Sequence, residues 1–157
     1  DVYWSYCNGK NNFNKLANVP KSQKYADKNL NNKREYKYFT VAYKMSGGKK
    51  VYLGRTNTVH VAMPYAAKTN VLKVTVNKTK VNLAKGKTFK ITKKVKLENS
   101  KKKALNHLTK NERFITSNAK VATVSSAGVI KAVRKGTCTV YVMADNGVCA
   151  RIKVTVK

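Results

Sequence analysis

Short runs of alternating β-branched or aromatic residues and polar residues recur along the chain. Val41 with Tyr43, Val59 with Val61, Val74 with Val76, Val140 with Val142, and Ile152 with Val154 and Val156 each sit two apart. That spacing puts each set on one face of a strand. Breaks at Asn8-Gly9, Ser46-Gly47-Gly48, Lys85-Gly86-Lys87, Ala127-Gly128, Lys135-Gly136 and Asn146-Gly147 interrupt the runs. Many short strands separated by turn residues predict an all-β chain of sandwich or barrel type. The clearest element is the last hairpin, Thr137 to Met143 and then Val148 to Val156. Its Asn146-Gly147 dipeptide supplies the positive φ angles of a tight turn and sets residue 142 roughly opposite 149. Residues 98–112 resist a strand reading. They are polar apart from Ala104, Leu105 and Leu108, and fit a long loop or a single helical turn.

Pro64 follows a strand ending at Met63, and residues 65–72 show no period. They are the expected linker. The chain divides into residues 1–64, the linker 65–72, and residues 73–157. It does not begin with Met and opens on strand-like residues, so we expect a piece of a longer protein. No apolar run reaches the ~18 residues of a membrane span.

Charge changes this picture more than composition does. Lys plus Arg total 34 against 6 Asp plus Glu, a net charge of +28. It is spread along the chain, about +10 over residues 1–72 and +18 over 73–157. Arginine occurs only at 34, 55, 113, 134 and 151, and lysine supplies the rest. Arginine is the usual reader of bases and phosphates, so sequence-specific nucleic-acid recognition is not expected. The remaining alternatives are a lysine-rich solvated surface or attraction to a polyanion: teichoic acid, an acidic polysaccharide, nucleic acid without sequence preference or an anionic membrane surface. The candidate polyanion patch is Lys93, Lys94, Lys96, Lys101, Lys102, Lys103 and Lys110. Aromatic residues, which single-stranded nucleic acid would need there, lie instead in the first half. Trp4 and Tyr6 are either core residues or a sugar-stacking platform.

Candidate chemistry is sparse. The six carboxylates, Asp1, Asp27, Glu35, Glu98, Glu112 and Asp145, are scattered, which argues against a calcium cage or a two-metal site. Two histidines and three cysteines argue against tetrahedral zinc. No cofactor is expected. Strand alternation makes Cys138 a small buried hydrophobe and turns Cys149 outward, so no disulfide is expected between them. His107 reads as a loop residue and His60 as an outward strand residue. Cys7 with His60 is the sole conceivable Cys–His pair of the first half, and nothing in the sequence places them together.

Residues 73–157 carry a recognisable set of elements in order. They are Leu83 and Gly86, Ser117-Asn118, Val121-Ala122 and Val124, Gly128 with Ile130, then Gly136-Thr137 ahead of alternating strands. This set resembles the bacterial immunoglobulin-like domain of group 2, with Phe114 standing for the usual aromatic and 98–112 as a lysine-rich insertion. The resemblance implies a β-sandwich in which the glycines serve turns, Val121, Val124, Ile130, Val140 and Val142 face inward, and Ser117 and Asn118 bond neighbouring backbone. Residues 1–64, with Leu30 six residues before Tyr36, are similar to the later part of a fibronectin type III domain. That resemblance implies a tyrosine corner, in which the phenol bonds nearby backbone, and an incomplete sandwich lacking its first strands.

The expected architecture is therefore two immunoglobulin-like β-sandwich units, the first incomplete. The expected function is a non-catalytic spacer or adhesion module, part of a larger extracellular or cell-surface bacterial protein. Its partners would be other domains of that protein and cell-wall or extracellular polyanions or glycans. The alternative is a polyanion- or carbohydrate-binding module using the basic surface. An enzyme is not expected.

Overall fold

The structure, a computed structural model, describes all residues except 8–9, 11, 20–23 and 106–112. Among the described residues there is no helix. The expected Asn8-Gly9 turn, His107 and Lys110 lie outside the described residues. The chain forms two compact units, residues 1–69 and 70–157.

Among its described residues the first unit has five strands: β1 (Val2–Tyr6), β2 (Asn14–Ala17), β3 (Glu35–Ser46), β4 (Lys49–Arg55) and β5 (Val59–Ala62). They make one antiparallel sheet, β2-β1-β3-β4, with β5 continuing the lane of β4 along β3. Among the described residues this unit is a single sheet rather than a sandwich. Strand alternation gives it two aromatic faces. On one, Tyr3 stacks on Phe39 at 4.9 Å and Phe13 meets Phe39 edge-on. On the other, Trp4, Tyr6 and Tyr36 touch one another at 5.2–5.9 Å. Such cross-strand ring pairs stabilise a sheet that has little other core. Tyr36 is buried, and its hydroxyl accepts the Asn31 N–H at 2.9 Å. This is the phenol-to-backbone bond expected of the Leu30–Tyr36 spacing. It fixes the turn that launches β3.

Among its described residues the second unit has nine strands: β6 (Val71–Val76), β7 (Lys80–Leu83), β8 (Thr88–Lys90), β9 (Lys93–Leu97), β10 (Arg113–Thr116), β11 (Ala122–Val124), β12 (Val129–Ala132), β13 (Gly136–Met143) and β14 (Cys149–Val156). Because β6 begins at Val71, the last two residues of the expected linker belong to a strand. The sheets are β10-β13-β14-β7, β11-β12-β8 and the ribbon β6-β9. β7 runs parallel to β14, and the other pairs are antiparallel. One core fills the sandwich, and Ile130, Val140, Val142, Ile152 and Val154 are wholly buried in it. Residues 98–105 form turns and bends apart from Lys103 and a single bridge residue, Ala104.

The last hairpin differs from its expected register by one residue. Met143 pairs with Cys149 and Val142 with Ala150. The Gly147 N–H bonds Ala144 O, the Ala144 N–H bonds Val148 O, and of the Asn-Gly pair only Gly147 takes positive φ (+87°). That is a type I turn closed by a left-handed glycine, which holds one residue more than a two-residue turn. Asn146 is thereby released from the turn and donates to Val71 O at 2.8 Å, tying the hairpin to β6.

Candidate functional site

The β6-β9 ribbon decides the fate of the lysine patch. A strand alternates faces, so Lys93, Val95 and Leu97 share one side of β9 and Lys94 and Lys96 the other. Lys96 pairs with Lys73 and Lys94 with Thr75, which adds Lys73 to the outer face. Lys73, Lys94 and Lys96 are all exposed. Lys93 does not belong with them. It is half-buried, with its ammonium 5.7 Å above the Phe114 ring, and burial together with neighbouring Lys90 pushes its pKa below the ordinary value. Of the loop lysines, Lys101 and Lys103 are exposed and Lys102 is half-buried. Lys73 was missed because its neighbours in space come from a strand twenty residues on.

Trp4 and Tyr6 lie on β1 with their rings at right angles and 5.2 Å apart. Trp4 is half-buried, and Tyr6 is the more exposed, with the Arg34 guanidinium 5.7 Å over its ring. They are part of the packing of that sheet face rather than a flat platform. On the same face, Tyr38 donates to Asp27 Oδ2 at 2.8 Å, and burial with this bond raises the phenol pKa. The two flank a groove of about 570 Å³ that also involves Leu16, Leu30 and Val41.

The Cys7–His60 pair corrects the sequence reading. Cys7 Sγ lies 3.2 Å from His60 Nδ1 although 53 residues separate them. Pairing does this in two steps. β1 runs against β3, and the Cys7 N–H continues the ladder to Glu35 O at 3.0 Å. β5 runs against the other side of β3 and sets His60 opposite Lys37. Cys7 and His60 then share a sheet face and meet across β3. His60 is half-buried, not simply outward. Beside Cys7, a cleft of about 170 Å³ is lined by Tyr6, Lys33, Arg34 and Glu35.

Elsewhere the structural roles are as the motif implies for Asn118, Val121, Ile130, Val140 and Val142, and differ at Ser117. Asn118 Oδ1 accepts the Lys120 N–H, while Ser117 bonds β13 rather than a neighbour, its Oγ accepting the Thr139 N–H at 2.9 Å. Cys138 is buried opposite Val154, and Cys149 lies opposite Met143 on the outer side of β14. Among the described residues, no three His, Cys, Asp or Glu side chains cluster as metal ligands. No helix among them is long and apolar enough to cross a membrane.

Comparison with known proteins adds to this geometry. The chain is similar to the S-layer protein rSbsC(31-844), with 19% identity over 79% of this chain and 16% of that one, at a TM-score of 0.46. It is similar to domains 4 and 5 of the S-layer protein SbsC, with 18% identity over 66% of this chain and 62% of that one, at a TM-score of 0.46. The chain spans less than two thirds of either structure. No curated protein matches it. Residues 70–156, more than half of the sequence, match the family described as bacterial Ig-like domain (group 2). The chain belongs to the bacterial Ig-like domain (group 2) family.

Proposed function

We propose that the chain is a non-catalytic module of a larger bacterial protein, carried outside the cell or at its surface, where it acts as a spacer or adhesive unit. One observation carries this reading. The residues that mark the family serve packing, turns or backbone bonds: Val121, Ile130, Val140 and Val142 are buried, Ser117 holds β13, and Gly128 closes against Phe114. The family pattern is thus accounted for by a sandwich scaffold without calling on a reactive group, which supports the non-catalytic reading and a surface-exposed multidomain setting. Brief protease treatment of intact source cells tests the location. The reading requires that the protein be cleaved from intact cells. Full protection until lysis would overturn it.

A second reading, binding of an extracellular polyanion, is favoured by the outer face of the β6-β9 ribbon. There Lys73, Lys94 and Lys96 project together without a carboxylate among the exposed residues of either strand. Retention on heparin falls with salt in either case, because counterion release drives any such contact. Location discriminates. Lys73→Gln/Lys94→Gln/Lys96→Gln should elute at the same salt as a control triple at exposed Lys78, Lys120 and Lys135 if only net charge matters. We expect equal, small shifts, since lysines on such a face are commonly just solvated. A clearly larger shift for the ribbon triple would favour the binding module.

A further inference from the structure

We propose that Cys7 and His60 form a thiolate–imidazolium pair and that Cys7 is a nucleophilic modification site for anionic disulfides. This goes beyond the module reading above and does not depend on it. The site is stoichiometric, so it is compatible with a non-catalytic module.

The geometry comes first. An Sγ–Nδ1 separation of 3.2 Å is a hydrogen bond by the looser limit that sulfur requires. In that contact a proton is shared between a thiol and an imidazole. The charged pair is favoured where cations lie on the sulfur's side of it and the sulfur is not deeply buried. Both conditions hold. Cys7 and His60 are half-buried rather than sealed in the core. The charged and titratable groups near the pair come from each adjoining element. Lys33 and Arg34 precede β3, Glu35 and Lys37 lie on β3, and Tyr6 ends β1. At the cleft itself, Lys33 and Arg34 are two cations against the one carboxylate of Glu35. Lys37 is buried, and its ammonium turns toward Lys10 O and the Phe13 ring. Lys33 and Arg34 are exposed and line the cleft at the sulfur.

The chemistry follows. The Cys7 thiolate attacks one sulfur of an incoming disulfide. A new sulfur–sulfur bond forms to Cys7, the old one breaks, and the departing thiolate carries away the electron pair. The disulfide is the oxidant, and one thiol compound leaves for each Cys7 modified. The proton that His60 has taken from Cys7 is available to the departing thiolate. Lys33 and Arg34 would draw reagents that bear carboxylates into the cleft.

The test uses the wild-type chain, with alkylation by iodoacetamide followed at each cysteine by mass spectrometry between pH 5 and 9. Cys138 is buried and Cys149 half-buried, so both serve as internal references. We expect Cys7 to react roughly tenfold faster than Cys149 at pH 6, with a rate that levels off well below the ordinary thiol pKa of about 8.5. His60→Gln should abolish that low-pH advantage while leaving Cys149 unchanged. A Cys7 rate that simply rises around pH 8.5 in the wild type would overturn the proposal, whether or not the variant folds. The reagent preference is read with an anionic disulfide, dithiobis(nitrobenzoate), against neutral dithiodipyridine. Lys33→Gln/Arg34→Gln should lower the ratio of their rates about fivefold or more at low salt. An unchanged ratio would remove the anionic selectivity from the proposal.

Discussion

Replacing Ile152 with alanine is expected to destabilise residues 70–157 by about 3–4 kcal/mol. Ile152 has no exposed surface and faces Val140, also wholly buried, across the β13-β14 pair. Val142 and Val154 extend the same buried layer. Deleting three carbons there removes their transfer energy and leaves a cavity that two paired strands cannot collapse into. For a unit of this size that loss corresponds to a fall in Tm of roughly 15–25 °C. The neighbouring Lys153 is exposed on the opposite face of β14, so Lys153→Ala should stay within about 0.5 kcal/mol of wild type. Urea unfolding with an unchanged m-value checks both. If the two variants lost similar amounts, β14 would not have the burial alternation described.

That alternation is also what made the second unit legible. Val140, Val142, Ile152 and Val154 recur at the strand period, and the glycines mark the breaks, so core and turns follow from local rules. The turn at Asp145–Gly147 shows where local rules end. Asn-Gly equally suits a two-residue turn or the last two positions of a longer one, and the side-chain bond from Asn146 to Val71, 75 residues away, favours the longer. The lysine patch was legible in the same partial way. Alternation alone separates Lys93 from Lys94 and Lys96, but the arrival of Lys73 requires the β6-β9 pairing. Cys7 and His60 were not legible at all. Their contact needs β1 and β5 on opposite sides of β3, each in one register, and no residue near either cysteine or histidine encodes that. The first unit was harder throughout because its aromatics occupy both faces of one sheet, which erases the inside–outside contrast that periodicity detects.

Gly128→Ala is the second substitution with a large expected effect, about 2–4 kcal/mol, from two separable causes. Gly128 has φ of +73°, where a side chain costs about 1–2 kcal/mol. A methyl group placed on it would also sit 2.8 Å from Phe114 Cζ and 3.2 Å from both Cε atoms. Phe114 is held in β10 opposite Val142 and packs on the core, so its ring cannot swing away without opening space beneath it. The two causes separate in a double-mutant cycle. Phe114→Leu removes the ring edge that the methyl would strike and leaves the backbone strain untouched. Gly128→Ala/Phe114→Leu should therefore lose less stability than the sum of the single variants, by about 1 kcal/mol or more. Strict additivity would mean that the conformational cost acts alone and that the ring does not close on the glycine. A sub-additive result would give the Gly128 of the family pattern a physical reason: the turn before β12 is left-handed, and it is also the surface against which the aromatic of β10 is packed.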